Sequence, residues 1–94
     1  MNIRRMISKK FSFLKRKGFR QKVYSRNGDL EIHYSSENSR VEFYYYLSTL
    51  TKYCIDVIIE SNGKRSRISN SIDKSQNSLS ETLDAFKEFI EKNT

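Results

Sequence analysis

Two Asn-Gly pairs, at positions 27–28 and 62–63, constrain the fold of this 94-residue chain more than any other feature. Each pair lies between two segments in which apolar and polar residues alternate, which is the period of a β-strand. Asn-Gly favours the two-residue type I′ turn, because that turn requires a positive φ at both central positions. The sequence therefore predicts two tight antiparallel hairpins, and a tight turn fixes which residues lie opposite one another.

The register that these turns impose is chemically consistent along both hairpins. Apolar residues lie opposite apolar residues on one side of the sheet, and the other side mostly pairs opposite charges or polar groups, as stable strand pairs do. The predicted partners are Arg26 with Asp29, Tyr24 with Glu31, Val23 with Ile32 and Lys22 with His33 in the first hairpin, and Glu60 with Arg65, Ile58 with Arg67 and Val57 with Ile68 in the second.

A further alternating segment between the hairpins completes the sheet. Val41, Phe43 and Tyr45 fall on one side of this segment, whereas Glu42 and Tyr44 fall on the other. Together with the hairpins it predicts five strands, at 19–26, 29–35, 39–48, 52–60 and 64–69. The short connections between consecutive strands favour an antiparallel meander.

Apolar residues recur every three or four positions at both ends of the chain, which predicts two amphipathic helices. The stripes are Ile3, Met6, Ile7, Phe11 and Leu14 in the first helix, and Leu79, Leu83, Phe86 and Ile90 in the second. Gly18 lies where a helix commonly ends with a left-handed residue. Ser78 with Glu81 forms a capping-box pattern that predicts the start of the second helix, after a polar connector at residues 70–77.

One face of the predicted sheet is strongly apolar, and each helix has a single apolar stripe. Packing both helices on that face buries all three surfaces together. A chain of 94 residues has room for one core only. We therefore expect a single α+β domain over residues 1–94, a five-stranded antiparallel meander with N- and C-terminal helices packed on one face, in the order α-β-β-β-β-β-α.

The positive charge of the chain is concentrated at its beginning. Residues 1–26 contain ten of the 18 Lys and Arg residues and no acid, and the formal net charge of the chain is +7. Such a block suits a polyanion, whose binding weakens steeply as salt rises. The solvent-facing side of an amphipathic helix is often basic without binding any ligand. The candidate nucleic-acid site is therefore the smaller basic cluster between the end of the first helix and the first strand. It comprises Lys15, Arg16, Lys17, Arg20 and Lys22.

The sheet face that the helices leave uncovered is the second candidate site. Tyr and Arg are enriched at the centres of protein interfaces, and a mixture of charges favours a protein partner over a polyanion. The predicted protein-binding residues are Tyr24, His33, Glu42, Tyr44, Tyr46, Ile58 and Arg67. A second copy of the chain, bound through the same face, is a further alternative.

The sequence predicts no catalytic, metal or cofactor site. His33, Cys54 and Asp56 point to one face, as a thiol nucleophile would require, but the strand at 39–48 separates His33 from Cys54 by about 9–10 Å. One Cys and one His fall short of the four nitrogen or sulfur ligands of structural zinc. The glycines are isolated and form no phosphate-binding loop. We therefore expect a protein that is not an enzyme.

The sequence also bears on location. It contains no apolar run of the length that a signal peptide or a membrane span needs. The single cysteine fits a reducing compartment, and the abundance of Asn, Lys, Ile, Ser and Tyr suggests an AT-rich genome. Because the sheet needs the apolar stripe of the first helix as its cover, we expect no membrane attachment. The expectation is a cytoplasmic protein of bacterial or phage origin.

The pattern Phe11-Ser-Phe-Leu14, followed by Gly18-Phe19 and a short meander of charged and aromatic strands, resembles small uncharacterised bacterial immunity-like proteins over about residues 11–68. Immunity proteins neutralise a neighbouring toxin by binding it, so the resemblance implies a protein partner and assigns no functional residues. Many nuclease-neutralising members have a strongly acidic surface, whereas this chain is basic, which argues against a nuclease as the partner. The sequence thus predicts a non-catalytic inhibitor, immunity-type or accessory protein, with nucleic-acid binding as the alternative.

Overall fold

The structure, a computed structural model, describes residues 3–26, 28–47, 52–73 and 76–94. The elements are α1 (Ile3–Lys10), α2 (Ser12–Arg16), β1 (Arg20–Arg26), β2 (Asp29–Ser35), β3 (Ser39–Leu47), β4 (Lys52–Ser61), β5 (Lys64–Asp73) and α3 (Gln76–Asn93). The five strands form one antiparallel sheet in the order β1-β2-β3-β4-β5. The α+β meander expected from the sequence is confirmed.

Both hairpins have the register that the Asn-Gly turns predict. Val23 lies opposite Ile32, Val57 lies opposite Ile68, and the remaining predicted pairs are also formed. In the second turn Asn62 has a φ of 52° and Gly63 a φ of 82°, which is the positive pair that a type I′ turn needs. In the first turn Gly28 also has a positive φ, whereas Asn27 lies outside the described residues.

The N-terminal helix is divided at Phe11, where the sequence predicts a continuous helix. Phe11 has φ −108° and ψ 22°, outside the helical range, and the chain then continues directly into α2. Ile7, Phe11 and Leu14 are all fully buried on the two sides of this break. The ring of Phe11 packs on that of Phe43, with 4.6 Å between the centroids. Packing against the sheet therefore overrides the continuous helical period.

Gly18 ends α2 as the sequence predicts. Its φ is +93°, in the left-handed region that favours glycine. The Gly18 N–H donates to the Lys15 carbonyl and the Phe19 N–H donates to the Leu14 carbonyl, each at 3.0 Å. These two bonds form a Schellman motif, which satisfies carbonyl groups at the helix end and turns the chain into β1.

The predicted connector at residues 70–77 is wrong in extent, because β5 continues to Asp73 and α3 begins at Gln76. Ile72 lies opposite Tyr53 and is buried, so it extends the inward-facing row of the strand. Asn70 lies in the same inward row, and its amide donates to Thr82 Oγ1 of α3 at 3.3 Å. Since α3 begins before Ser78, the predicted capping box is also wrong. Residues 74–75, within the predicted connector, and 48–51, the predicted turn after β3, lie outside the described residues.

The core lies between the helices and one face of the sheet. The buried apolar side chains are Ile32, Tyr34, Val41, Phe43, Tyr45, Ile55, Val57, Ile59 and Ile72 from the sheet, and Ile7, Phe11, Leu14, Leu79, Leu83, Phe86 and Ile90 from the helices, with Phe19 between them. Burial of each large apolar side chain contributes about 1.5–3 kcal/mol before the entropy cost of ordering. The apolar stripes predicted for both helices therefore serve to cover the sheet.

Polar contacts fasten α1 to its neighbours around this core. The Gln21 amide of β1 donates to Ser8 Oγ of α1 at 3.0 Å and to the Tyr34 hydroxyl at 2.9 Å. Lys10 Nζ of α1 lies 2.6 Å from Asp84 Oδ1 of α3. Within the described residues, no helix is long and apolar enough to cross a membrane.

Candidate protein-binding face

The open face is the side of the sheet turned away from the helices. The antiparallel register places on it the even-numbered residues of β1, β3 and β4 and the odd-numbered residues of β2 and β5. All seven residues predicted as a protein-binding site share this face: Tyr24, His33, Glu42, Tyr44, Tyr46, Ile58 and Arg67. The structure groups most of them into two side-chain clusters. Ile58 lies between these clusters, opposite Glu42 on one side and Arg67 on the other.

The first group, the His33 cluster, consists of Tyr24, Glu31, His33, Glu42 and Tyr44. The imidazole ring lies between two tyrosine rings, with centroids 5.1 Å from Tyr24 and 5.8 Å from Tyr44. Its Nε2 lies 3.4 Å from Glu31 Oε2, and its Nδ1 lies 3.5 Å from Glu42 Oε2. The cluster therefore combines three rings and two carboxylates at the middle of β1, β2 and β3.

The strand register explains this grouping. His33 lies directly opposite Glu42, while Glu31 lies between Tyr24 on β1 and Tyr44 on β3. Residues two apart on one strand point to the same face, so these two cross-strand rows are neighbours. The pairings follow from the first Asn-Gly turn and from the alternation of β3, both of which are visible in the sequence.

The electrostatic balance of the His33 cluster is negative in either protonation state of the imidazole. With a neutral ring the two carboxylates leave two negative charges, and with an imidazolium they leave one. Burial, followed by the carboxylates of Glu42 and Glu31, raises the pKa of Tyr44, so its hydroxyl stays neutral at physiological pH. His33 Nε2 is enclosed and makes no hydrogen bond, so its approach to Glu31 is an electrostatic contact.

The second group, the Asp56 cluster, consists of Tyr46, Asp56 and Arg67. The carboxylate of Asp56 is almost fully buried, with 7% of its side chain exposed. Asp56 Oδ2 accepts hydrogen bonds from Arg67 Nη2 at 2.8 Å and from the Tyr46 hydroxyl at 3.2 Å. Partial burial, and then the nearby carboxylate, raises the pKa of Tyr46. A buried carboxylate needs such partners, because its charge is costly to remove from water.

The three consecutive tyrosines divide between the two faces as the strand period requires. Tyr44 and Tyr46 belong to the two clusters on the open face, whereas Tyr45 is buried in the core. The ring of Tyr45 stacks on that of Tyr53, with centroids 4.8 Å apart and planes inclined by 10°. Burial and the adjacent Tyr53 raise the pKa of Tyr45 to about 12. The outward pair is thus available for binding while the middle ring supports the core.

The predicted basic cluster is exposed, but the sheet edge divides it. Lys15, Arg16 and Lys17 belong to the helical layer, where the Lys17 and Lys87 ammonium groups lie 5.8 and 5.7 Å from the centroid of the Phe13 ring. Arg20 and Lys22, in contrast, point to the open face from the edge strand β1. The five cations therefore wrap around an edge. Cations on an edge strand also discourage strand-to-strand aggregation, which is a structural role for the two on β1.

The arrangement of His33 and Cys54 does not suit a thiol nucleophile. Cys54 lies opposite Tyr46, whereas His33 lies opposite Glu42, so they are offset by four residues along the strands as well as by two strand spacings. Strand geometry gives a separation of about 16 Å, larger than the sequence estimate, which counted only the spacing between strands. Cys54 Sγ instead lies 3.5 Å from Ser71 Oγ. Across the described part of the chain, no group of three or more His, Cys, Asp or Glu residues is arranged to hold a metal ion.

Glu31 and Asp56 complete the two clusters; the sequence pattern places both on the open face, but the predicted protein-binding residues do not include them. Glu31 could have been found from the first hairpin register, which places it opposite Tyr24 and two residues before His33. Asp56 carries a weaker signal, a single acid within the apolar run of β4. Its burial depends on cross-strand packing, which the sequence pattern does not specify.

The chain matches no protein-family model, no curated protein and no solved structure in the comparisons made with its sequence and fold.

Proposed function

We propose that this protein is a non-catalytic binding domain that recognises a protein partner through the open face, in the manner of an inhibitor, immunity-type or accessory protein. The observation that carries the proposal is the His33 cluster. It places three rings and two carboxylates at the middle of three strands, on the side of the sheet opposite the helices. Aromatic side chains bury a large area at little entropy cost, so such groups are characteristic of interface centres.

The dimensions of the face suit a small specific interface. Strands 7–10 residues long, spaced about 4.8 Å apart, give a surface of roughly 20 by 25 Å. A standard interface buries about 800 Å² on each partner, which such a surface approaches once its projecting side chains are included. Tyr24, with 48% of its surface exposed, is one of the side chains that a partner would cover.

A capture experiment tests this proposal. The wild-type chain is used as bait in an extract of the source cell beside Tyr44→Ala/Tyr46→Ala, which removes both outward tyrosines of β3. The matched control is Lys9→Ala/Glu88→Ala, which removes two exposed side chains from the helical layer. We expect one specific protein to be retained by the wild type and the control and lost with the tyrosine variant. Retention by the tyrosine variant, with its fold verified by circular dichroism, would contradict the assignment of the face.

Nucleic-acid binding is the second candidate function, and the exposure of the five-residue basic cluster favours it. None of these cations forms an ion pair with a carboxylate of the described residues. Against it, the acids at the centre of the open face repel a polyanion, and the cluster is divided by the edge of β1. A nucleic acid would therefore contact the edge and the helical layer, away from the His33 cluster.

Salt dependence separates the two functions. A nucleic-acid binder neutralising two to five phosphates loses affinity with a slope of about −2 to −4.5 in log K against log salt. Lys15→Glu/Arg16→Glu should then abolish a gel shift seen at low salt, while Tyr44→Ala/Tyr46→Ala should preserve it. The absence of any shift at low salt would eliminate the nucleic-acid function.

A further inference from the structure

The acids of the open face differ in how they are neutralised. Arg67 Nη2 lies 2.8 Å from Asp56, and Arg40 Nη2 lies 3.0 Å from Glu60. Glu31 and Glu42, in contrast, have no Lys or Arg within ion-pair distance among the described residues; both contact the His33 imidazole, and Arg40 adds a longer-range attraction to Glu42. In a chain of net charge +7, the centre of the open face therefore keeps a local excess of negative charge.

Aromatic rings surround this negative charge. The Tyr24 and Tyr44 rings are inclined to the imidazole by 56° and 58°, so the three rings form a tilted wall rather than a flat stack. The faces of tyrosine rings attract cations within about 6 Å, and nearby carboxylates strengthen that attraction. Tyr24 and Glu31 also line a groove that extends toward Arg26 and Asp29 at the end of the hairpin. The carboxylates and the ring faces therefore attract a cation, and the groove gives its side chain space.

The charge pattern around the cluster argues against a second copy of the chain as the occupant. Cations occupy the edges of the open face, with Lys22 and Arg26 on β1 and Arg65 on β5. A two-fold arrangement that brings the His33 clusters of two copies together would place the carboxylates of Glu31 and Glu42 from both copies close to one another. Like charges in apposition are unfavourable, whereas a partner with a cation at its centre is complementary.

Building on the proposed function, we propose that the partner places a Lys or Arg side chain on the solvent side of the His33 cluster, against the tyrosine rings that flank the imidazole and against the carboxylates of Glu31 and Glu42. The occupant is thus a protein segment with a cation at its centre, and acids beside that cation would meet the basic edges of the sheet. Arg fits this site especially well, because its planar guanidinium both stacks on aromatic faces and binds carboxylates.

A peptide titration followed by NMR tests the inference without the natural partner. The probe is acetyl-Gly-Arg-Gly-amide, and the matched control is the same peptide with citrulline, the neutral isostere of arginine. We expect the arginine peptide to bind in the millimolar range and to shift the signals of Tyr24, His33 and Tyr44. The citrulline peptide should leave those signals in place. Equal shifts with both peptides, or no shift at the cluster, would overturn the inference.

Paired variants locate the binding. Glu42→Gln removes one carboxylate of the cluster and should weaken arginine-peptide binding by about two- to five-fold, the range of a partly exposed ion pair. Glu88→Gln, an exposed change on α3 with the same chemistry, should leave the affinity unchanged. An unaltered affinity in Glu42→Gln, with its NMR spectrum showing a preserved fold, would also overturn the inference. Concentration-dependent shifts of the cluster without any peptide would mean that a second copy covers the face, which would contradict it.

The outcomes separate this inference from the function on which it rests. If the arginine peptide does not bind but the captured partner is still lost with Tyr44→Ala/Tyr46→Ala, the open face binds a protein by another chemistry. In that case the proposed function stands and the cation-binding site does not. If the captured partner needs no residue of the open face, the proposed function fails whatever the peptide does.

Discussion

Arg67→Ala is expected to destabilise the fold measurably, because it removes the cationic partner of a buried carboxylate. Only 7% of the Asp56 side chain is exposed, and Arg67 Nη2 donates to its Oδ2 at 2.8 Å. The substitution leaves Asp56 with the Tyr46 hydroxyl, 3.2 Å away, as its remaining side-chain hydrogen-bond donor among the described residues. A hydrogen bond to a charged group contributes about 1.5–3 kcal/mol.

The magnitude is set by the exposure of the guanidinium. Because 61% of the Arg67 side chain is exposed, water screens the pair and the lower end of that range applies, about 1.5 kcal/mol. For a domain of this size that loss lowers the Tm by roughly 6–12 °C. Arg40→Ala is the matched control, since it removes the same residue type from the same face. Its partner Glu60 is 44% exposed, so we expect a change close to the experimental error.

Thermal unfolding followed by circular dichroism compares the two variants at equal net charge. We expect a clear drop in Tm for Arg67→Ala and a small one for Arg40→Ala. Asp56→Asn combined with Arg67→Ala should be less destabilised than the two single changes would sum to, because the asparagine removes the unpaired charge. Equal drops for the two arginine variants would show instead that the burial of Asp56 has no energetic consequence.

Three further predictions test the fold around this face. Gly18→Ala should lower the free energy of unfolding in urea by about 1 kcal/mol. The cost comes from the +93° φ of Gly18 alone, because an added Cβ meets no atom within 4 Å. An unchanged urea midpoint would contradict the role of Gly18 at the end of α2. Ile72→Ala should lower the free energy of unfolding by about 3 kcal/mol because Ile72 is buried, and Ser71→Ala should lower it much less. Equally small effects would mean that residues 70–73 form a connector and not part of β5. Burial raises the pKa of Tyr45 to about 12, above the ordinary tyrosine value of 10.0, so ultraviolet titration should show an ionisation step there that Tyr45→Phe removes. The raised pKa of Tyr45 contributes stability that is present below pH 10 and is lost as the pH rises toward 12. A free energy of unfolding that stays constant between pH 10 and 12 would contradict the burial of Tyr45.

The sheet could be predicted from the sequence because its strongest signals are local. Asn62 and Gly63 adopt the positive φ values that their residue types favour, and a two-residue turn leaves a single register. The first of these turns places Tyr24 and His33 on one face, and the alternation of apolar and polar residues along β3 adds Tyr44 to that face. The sequence therefore predicts that these residues share one face, because side chains alternate between the two faces along a strand.

The parts that could not be predicted depend on contacts between distant segments. The polar side chain of Asn70 suggests a connector in the sequence. In the structure Asn70 belongs to β5, and its amide donates a hydrogen bond to Thr82 of α3. Phe11 breaks its helix because the core holds it against Phe43, and nothing in the helical period indicates that break. The burial of Asp56 likewise depends on side chains from the neighbouring strands, which fold over it. Such tertiary effects override local patterns and become visible only in the folded chain.

Covalent footprinting of the complex with the captured partner shows directly whether the open face is the binding surface. Tyrosine nitration reports on Tyr24, which is 48% exposed in the free protein, and lysine acetylation reports on Lys9 and Lys15 in the helical layer. If the open face is the binding surface, the partner will protect Tyr24 strongly and leave both lysines as reactive as in the free chain. Protection of the lysines with full reactivity at Tyr24 would mean that the partner binds the helical layer and not the open face.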